Sequence, residues 1–235
     1  MEVVTVAVVV FVGATLQGSI GFGMGLFAAP ILILIDPRFV PAPILLSTMV
    51  LTPLLVYREH HAIDVRGIRW AMVGRLGGTA AAAGILAVVA ADRLVLICGL
   101  CILAGVAMSM SGLRIAPARP SLVAAGALSG LFGTIAAVGG PPMMLLYQHA
   151  SGARIRSTAS GFFLIGTIIS IGALWLVGRF GLYEIRLSLL MLPGVLAGYV
   201  LSGRATRYVD HGYTRPAVLA LSGLTGMSVV VSQLL

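Results

Sequence analysis

The chain has 235 residues, of which 59% are hydrophobic and 9% charged, with a mean hydropathy of +1.09. That composition excludes a soluble domain built on one large core and points to a polytopic membrane protein. The formal net charge of +8 does not imply nucleic acid, because the arginines sit in short loops between apolar segments, the pattern that sets membrane orientation.

The first apolar segment runs from Val3 to Ile35 and is interrupted by Gly18-Ser19-Ile20-Gly21-Phe22-Gly23-Met24-Gly25. The N-terminus lacks a basic n-region and a cleavage site, so it reads as part of the mature protein. Glycine in a helix interior costs roughly 1 kcal/mol per site relative to alanine. Broken backbone at membrane depth survives only where protein buries it or a wet cavity adjoins it. The interruption therefore marks a candidate site. Apolar sequence resumes from Met24 to Ile35 and stops at Asp36-Pro37-Arg38. Spans are expected over 41–57, with Pro41 and Pro43 in the first turn, and over 67–91 and 94–113. The span from 67 is rich in Gly and Ala, which lets helices approach closely in lipid. Arg114 to Pro120 is the longest polar connection near the chain centre and marks the boundary between halves.

The second half repeats the plan. Ser121 to Gln148 is an apolar segment interrupted at Gly133-Thr134-Ile135-Ala136-Ala137-Val138-Gly139-Gly140-Pro141-Pro142. Spans follow over 158–177, 187–203 and 216–235. At an offset of 115 residues, Gly18, Ser19, Ile20 and Gly25 fall on Gly133, Thr134, Ile135 and Gly140. Ile68-Arg69 and Ile185-Arg186, with Gly77 and Gly194 at matching depth, extend the correspondence. The expected fold is an all-α polytopic membrane protein of one membrane domain. It has two inverted repeats, 1–115 and 121–235, each with a glycine-broken helical hairpin (3–35 and 121–148) and three transmembrane helices. Matched breaks, one per half, point to a binding site near the midplane of a repeat-built transporter.

Arginine counting supports the inverted arrangement. If each broken segment crosses once, the loop arginines divide seven against seven. If each turns back on itself, Arg38, Arg93, Arg179 and Arg186 face the other ten, a clear positive-inside bias. The second arrangement places both termini outside and Arg114 to Pro120 inside a plasma (inner) membrane. Val3 to Leu16 makes about 21 Å of helix, enough to pass the midplane and short of the ~30 Å needed to span. A single broken, tilted crossing also accommodates those lengths.

All seven acidic residues (Glu2, Asp36, Glu59, Asp64, Asp92, Glu184, Asp210) fall at segment ends or in loops. This argues against a cation carrier, a carboxylate proton relay and an intramembrane hydrolase. All fifteen basic residues are arginine, a bias of genome composition. Arg75 is the exception in placement, about 12 Å into its span, and an ionisable residue there is a functional candidate, with snorkelling to the inner headgroups or pairing with the carbonyls of a broken helix as the competing roles. Helix starts after the breaks, at Met24–Gly25 and Pro141–Met143, add amide donors and a positive dipole end. The candidate substrate-binding residues are Gln17, Gly18, Ser19, Gly21, Phe22, Gly23, Arg75, Gly133, Thr134, Gly139, Gly140 and Pro141. For Ser19 and Thr134, back-bonding to a helix carbonyl is the competing role. Arg154 and Arg156 are inside-loop charges that also steer anions. Cys98 and Cys101 lack metal-binding or redox neighbours and are packing residues. No cofactor, metal or catalytic residue is expected.

Gly18-Ser19-Ile20-Gly21-Phe22-Gly23 followed by Pro30 resembles the first motif of the TauE/SafE family of sulfite exporters and related anion permeases. Gly130 to Pro142, with Gly139-Gly140-Pro141, is similar to that family's second-half signature. Arg156-Ser157-Thr158-Ala159 resembles the segment that follows it. The chain departs from the pattern at Ala136-Ala137, where more glycine is expected. The resemblance implies transport, export above all, of sulfite, a sulfonate or a related small organic or sulfur-containing anion by a protein that is not an enzyme. A different class, a membrane subunit or assembly factor that transports nothing, would use the glycines for packing alone. A membrane redox enzyme using the cysteine pair is the third. Oligomeric state is left open, a homo-oligomer included.

Overall fold

The structure, a computed structural model, describes residues 2–209 and 214–233 and, of residues 2, 91–92, 207–209 and 214–218, the backbone alone. Asp210, the side chains of Glu2, Asp92, Arg207 and Arg215, and the last two residues of the expected 216–235 span lie outside what is described. The described residues form ten α-helices, and six helical segments are long and apolar enough to cross a membrane.

Helix α1 (Glu2–Ile20) runs through Gly18 and Ser19 rather than ending before them. Gly18 is there for closeness, since a Cβ on it would collide with Ser202. The helix stops where backbone becomes left-handed, at Gly21 (φ 98°) and Gly23 (φ 131°), a conformation that glycine adopts freely. A π-helical turn (Met24–Ala28) leads into α2 (Ala29–Ile35). The chain turns back at this break: a Cβ on Gly13 would lie 3.3 Å from Met24 Cα and 3.5 Å from Ala28 Cβ. Val3 and Val6 share a cavity wall with Ile35, Asp36 and Phe39.

Asp36 then accepts from the Arg38 amide at 2.9 Å and its guanidinium at 2.7 Å, and α3 (Ala42–Glu59) follows. Asp64 caps α4 (Val65–Val88) by accepting from the Gly67 amide at 2.9 Å. After α5 (Ala91–Met110), residues 111–118 have no regular structure. Helix α6 (Arg119–Ala136) ends in left-handed backbone at Ala137 (φ 59°), and α7 (Gly140–Tyr147) starts three residues later. This break also reverses the chain, since Ser129 reaches Gly139 and the 114–117 linker lies beside Tyr147 and His149. Helices α8 (Gly152–Leu176), α9 (Leu182–Val209) and α10 (Thr214–Val231) complete the bundle.

Small residues decide which helices touch. On α4, Gly74 and Gly78 press on the carbonyls of Val123 and Ala127, while Gly126 and Gly130 of α6 press on those of Ala71 and Arg75. On α9, Gly194 and Gly198 press on the carbonyls of Ala7 and Phe11 of α1. Gly77, which the sequence pairs with Gly194, instead meets nothing within 4 Å; the glycines that correspond in role are Gly74 and Gly78. α3 and α8 pack together at the centre, and α10 runs antiparallel to α5, with Gly226 beside Ile102 and Gly223 beside Val106.

A buried guanidinium between two broken helices

The two breaks meet. A Cβ on Gly25 would collide with the Ala137 carbonyl, and one on Gly140 would lie 3.0 Å from Phe22 Cβ. Around that contact is a cavity of about 30 Å³. The first break supplies Gln17, Phe22, Gly23, Gly25 and Leu26 to its wall. The second supplies Gly133, Ala137, Val138, Gly139, Gly140 and Pro141. Helix α3 adds Leu45 and Thr48, α4 adds Arg75, and α8 adds Phe163 and Thr167.

Arg75 is 1% exposed, eleventh in a helix of 24 residues and so close to its middle. Its Nη1 donates to Ser129 Oγ of α6 at 3.2 Å and its Nη2 to Ser170 Oγ of α8 at 3.3 Å. Its Cζ lies 4.8 Å from the ring centroid of Phe162, a favourable cation–π placement. The hydroxyls pass their own protons onward. Ser129 Oγ donates to the Gly139 carbonyl. Thr134 Oγ1 donates to Thr79 Oγ1 at 3.3 Å, which leaves Ser170 as the donor in its 2.9 Å contact with Thr134. Every hydrogen bond that the guanidinium donates therefore ends on a neutral oxygen. Among the described residues no carboxylate pairs with Arg75. Its Nε and Gln17 Nε2, both fully buried, have no hydrogen-bond partner there. Buried donors left unmatched beside one cavity call for an explanation.

The structure brings Gln17, Phe22, Gly23, Arg75, Gly133, Gly139, Gly140 and Pro141 to one cavity. It places four other candidates elsewhere. Gly18 packs on Ser202, and its carbonyl accepts from Arg58. Ser19 back-bonds to the Thr15 carbonyl at 2.6 Å. Gly21 lies against the backbone of Arg156, and Thr134 stands behind Arg75 in the hydroxyl chain. Pro141 and Pro142 carry no N–H, so the first turn of α7 offers fewer amides than the sequence suggests. Arg154 pairs with Asp64 at 3.1 Å and Arg156 with Glu59 at 2.9 Å, so neither is a free charge. Cys98 donates to the Ile135 carbonyl at 3.2 Å, a packing contact.

Sequence reasoning missed the socket on α8. Phe162, Gly166 and Ser170 stand four residues apart, on one helical face, and that face receives Arg75. A Cβ on Gly166 would overlap the guanidinium. The spacing was legible; the partner was not.

The family model for the sulfite exporter TauE/SafE family matches residues 6–229. Neither a curated protein nor a solved structure matches the chain. The chain belongs to the sulfite exporter TauE/SafE family and is a multi-pass membrane transporter of sulfur anions.

Proposed function

We propose that this TauE/SafE chain exports a small oxyanion or sulfonate, sulfite or an organic sulfonate foremost, through the cavity where its two broken helices meet. The observation that carries the reading is the pair of unmatched buried donors, Arg75 Nε and Gln17 Nε2, on the wall of one cavity. A buried guanidinium surrounded by neutral oxygens is several kcal/mol worse off than in water unless a counter-ion joins it. A bound anion supplies that counter-ion and accepts from both donors. The planar guanidinium fork matches two oxygens of a sulfonate or sulfite. A cavity of about 30 Å³ holds roughly one water molecule. An oxyanion therefore enters only when the two breaks move apart, and the break-to-break contact closes the site.

We also read the chain as two inverted repeats, 1–115 and 121–235. In support, each first arm lies on the second long helix of the other half: α1 on α9, and α6 on α4. Arg58, Arg66, Arg69, Arg114, Arg119, Arg154, Arg156 and Arg204 gather at one end. Arg38, Arg93, Arg179 and Arg186 lie at the end where Val3 and Leu187 meet. The positive-inside rule then puts both termini outside. A negative-inside potential favours anion exit by ~2.3 kcal/mol per charge per 100 mV, so export needs no coupling ion.

The test is flux of sulfite and sulfonates by the purified protein in liposomes, alongside Arg75→Lys, Arg75→Gln and Arg75→Leu. Affinity falls in the order Arg, Lys, Gln, and Leu is inactive though inserted. A folded Arg75→Leu protein with normal flux overturns the assignment. No flux from the intact purified chain returns the glycines to packing.

A further inference from the structure

We propose that the groove between the first turns of α4 and α6 binds the phosphodiester headgroup of an anionic membrane phospholipid. A cavity of about 280 Å³ opens there, lined by Arg66, Arg69, Trp70, Val73 and Arg119. The guanidinium of Arg119 sits 5.1 Å from the Trp70 ring centroid, which holds it over the groove. The described carboxylates of this end are occupied elsewhere. Asp64 accepts from the Gly67 amide, Tyr147 and Arg154, and Glu59 accepts from Arg156. Among the described residues, Arg66, Arg69 and Arg119 have no acidic partner.

Three cations that converge on one groove without a counter-ion want an anion with several oxygens, and a phosphodiester supplies two unesterified ones. The rest of the groove says which source. Arg66, Arg69, Val73 and Leu76 fall on one stripe of α4 at helical spacing. Val73 is 57% exposed and Leu76 55% exposed, on the bundle's outer face, so the stripe passes from charged to apolar in the direction of the membrane interior. Trp70 lies at the transition, where indole rings gather at the membrane–water interface. A free phosphate would use only the arginines. A phospholipid places its headgroup among them and an acyl chain along Val73 and Leu76. Basic pockets between membrane helices on the arginine-rich face are suited to such headgroups. The lipid would staple α4, which carries Arg75, to α6, the first arm of the second break.

The experiment uses the full chain in neutral detergent. Thermal stability and lipid retained by native mass spectrometry are measured with phosphatidylglycerol, phosphatidylcholine and inorganic phosphate. The intact protein retains phosphatidylglycerol over phosphatidylcholine by roughly 100-fold, three arginines contributing about fivefold each. The triple variant Arg66→Gln, Arg69→Gln, Arg119→Gln loses that preference. The control Arg114→Gln, Arg204→Gln, which removes charge from the same end outside the groove, keeps it. Should the triple variant not purify, Arg119→Gln alone lowers retention about fivefold. An undiminished preference in the arginine variants overturns the proposal. So does equal loss in the control, which would mean diffuse attraction, or stabilisation by inorganic phosphate as large as by lipid, which would mean a free-anion site.

Discussion

Gly166→Ala tests the placement of Arg75 most directly. Replacing a helix-interior glycine by alanine ordinarily stabilises by roughly 1 kcal/mol. At Gly166 the added methyl would overlap Nε, Cζ and Cδ of Arg75. Overpacking of this kind costs about 1–3 kcal/mol. Pushing the guanidinium away also breaks at least one of its bonds to Ser129 and Ser170, each contributing about 1.5–3 kcal/mol as a bond to a charged group. With one bond lost and the helix gain subtracted, the net destabilisation is about 1.5–5 kcal/mol. Gly77→Ala and Gly172→Ala are the controls, since a Cβ at either meets nothing within 4 Å, and both stay neutral or gain stability. The assay is unfolding of the purified proteins in detergent, with anion flux measured in parallel. Arg75→Leu combined with Gly166→Ala gives a second reading: the penalty of the methyl shrinks once the guanidinium is gone, because the two changes share one contact. A Gly166→Ala protein that unfolds with the controls and transports normally refutes the α8 socket and the cavity argument built on it.

Gln17→Met removes a buried, unmatched amide, so stability rises by about 1–3 kcal/mol while stabilisation by added anion weakens; an unchanged anion effect separates Gln17 from the site. Gly140→Leu and Gly23→Leu insert but carry no anion, the first because its side chain drives into Phe22 and the second because φ 131° does not suit a branched residue; normal flux from well-expressed protein would show that the breaks need not touch. Burial raises the Asp64 carboxyl, but the Gly67 amide, Tyr147 and Arg154 outweigh it and hold it below the ordinary carboxylate range. A carboxyl depressed in the folded state contributes stability above its ordinary pKa and loses it as pH falls through the folded one. An acid titration of unfolding therefore shows a loss in that window that Asp64→Asn lacks, and identical curves would remove this cap from the acid response.

The breaks and the buried cation were legible in sequence because glycine clusters and arginine are conspicuous in apolar segments. The spans were less so, since α1 continues past Leu16 and Val3–Ile20 is long enough to cross, while the described part of 216–235 is a shorter apolar helix, Leu219–Val231. Register was harder. Gly18 reads as the start of a break, yet the helix continues, because a glycine mid-helix serves close approach as well as it serves a turn. Gly77 reads as an interface residue, yet the close contacts belong to Gly74 and Gly78, since a rotation of one residue on a helix moves a side chain by about 100°. Ala137 departs from the glycine pattern, yet it adopts left-handed backbone all the same (φ 59°). Its carbonyl is the group that Gly25 accommodates, so glycine stands on one side of the contact only. Ser129, Gly166 and Ser170 were missed because nothing local distinguishes a hydroxyl that accepts from a buried guanidinium from one that bonds its own helix.

The proposed two-fold plan also explains why one cation suffices. The register that sets Gly74 and Gly78 against Gly194 and Gly198 sets Arg75 against Val195, which is fully buried. The offset that aligns the breaks sets Gln17 against Phe132. The matched glycines thus serve helix packing in both halves, while the two unmatched donors at the cavity both come from the first: a charge from α4 and a neutral amide from α1. Position 195 does not line the cavity of about 30 Å³, so a second guanidinium buried there would have no anion to pair with, at a cost of several kcal/mol. One arginine needs one anion, and the opposing Gln17 amide adds a donor without adding charge. Departure of the anion leaves a single unpaired cation, a cost that binding the next anion removes.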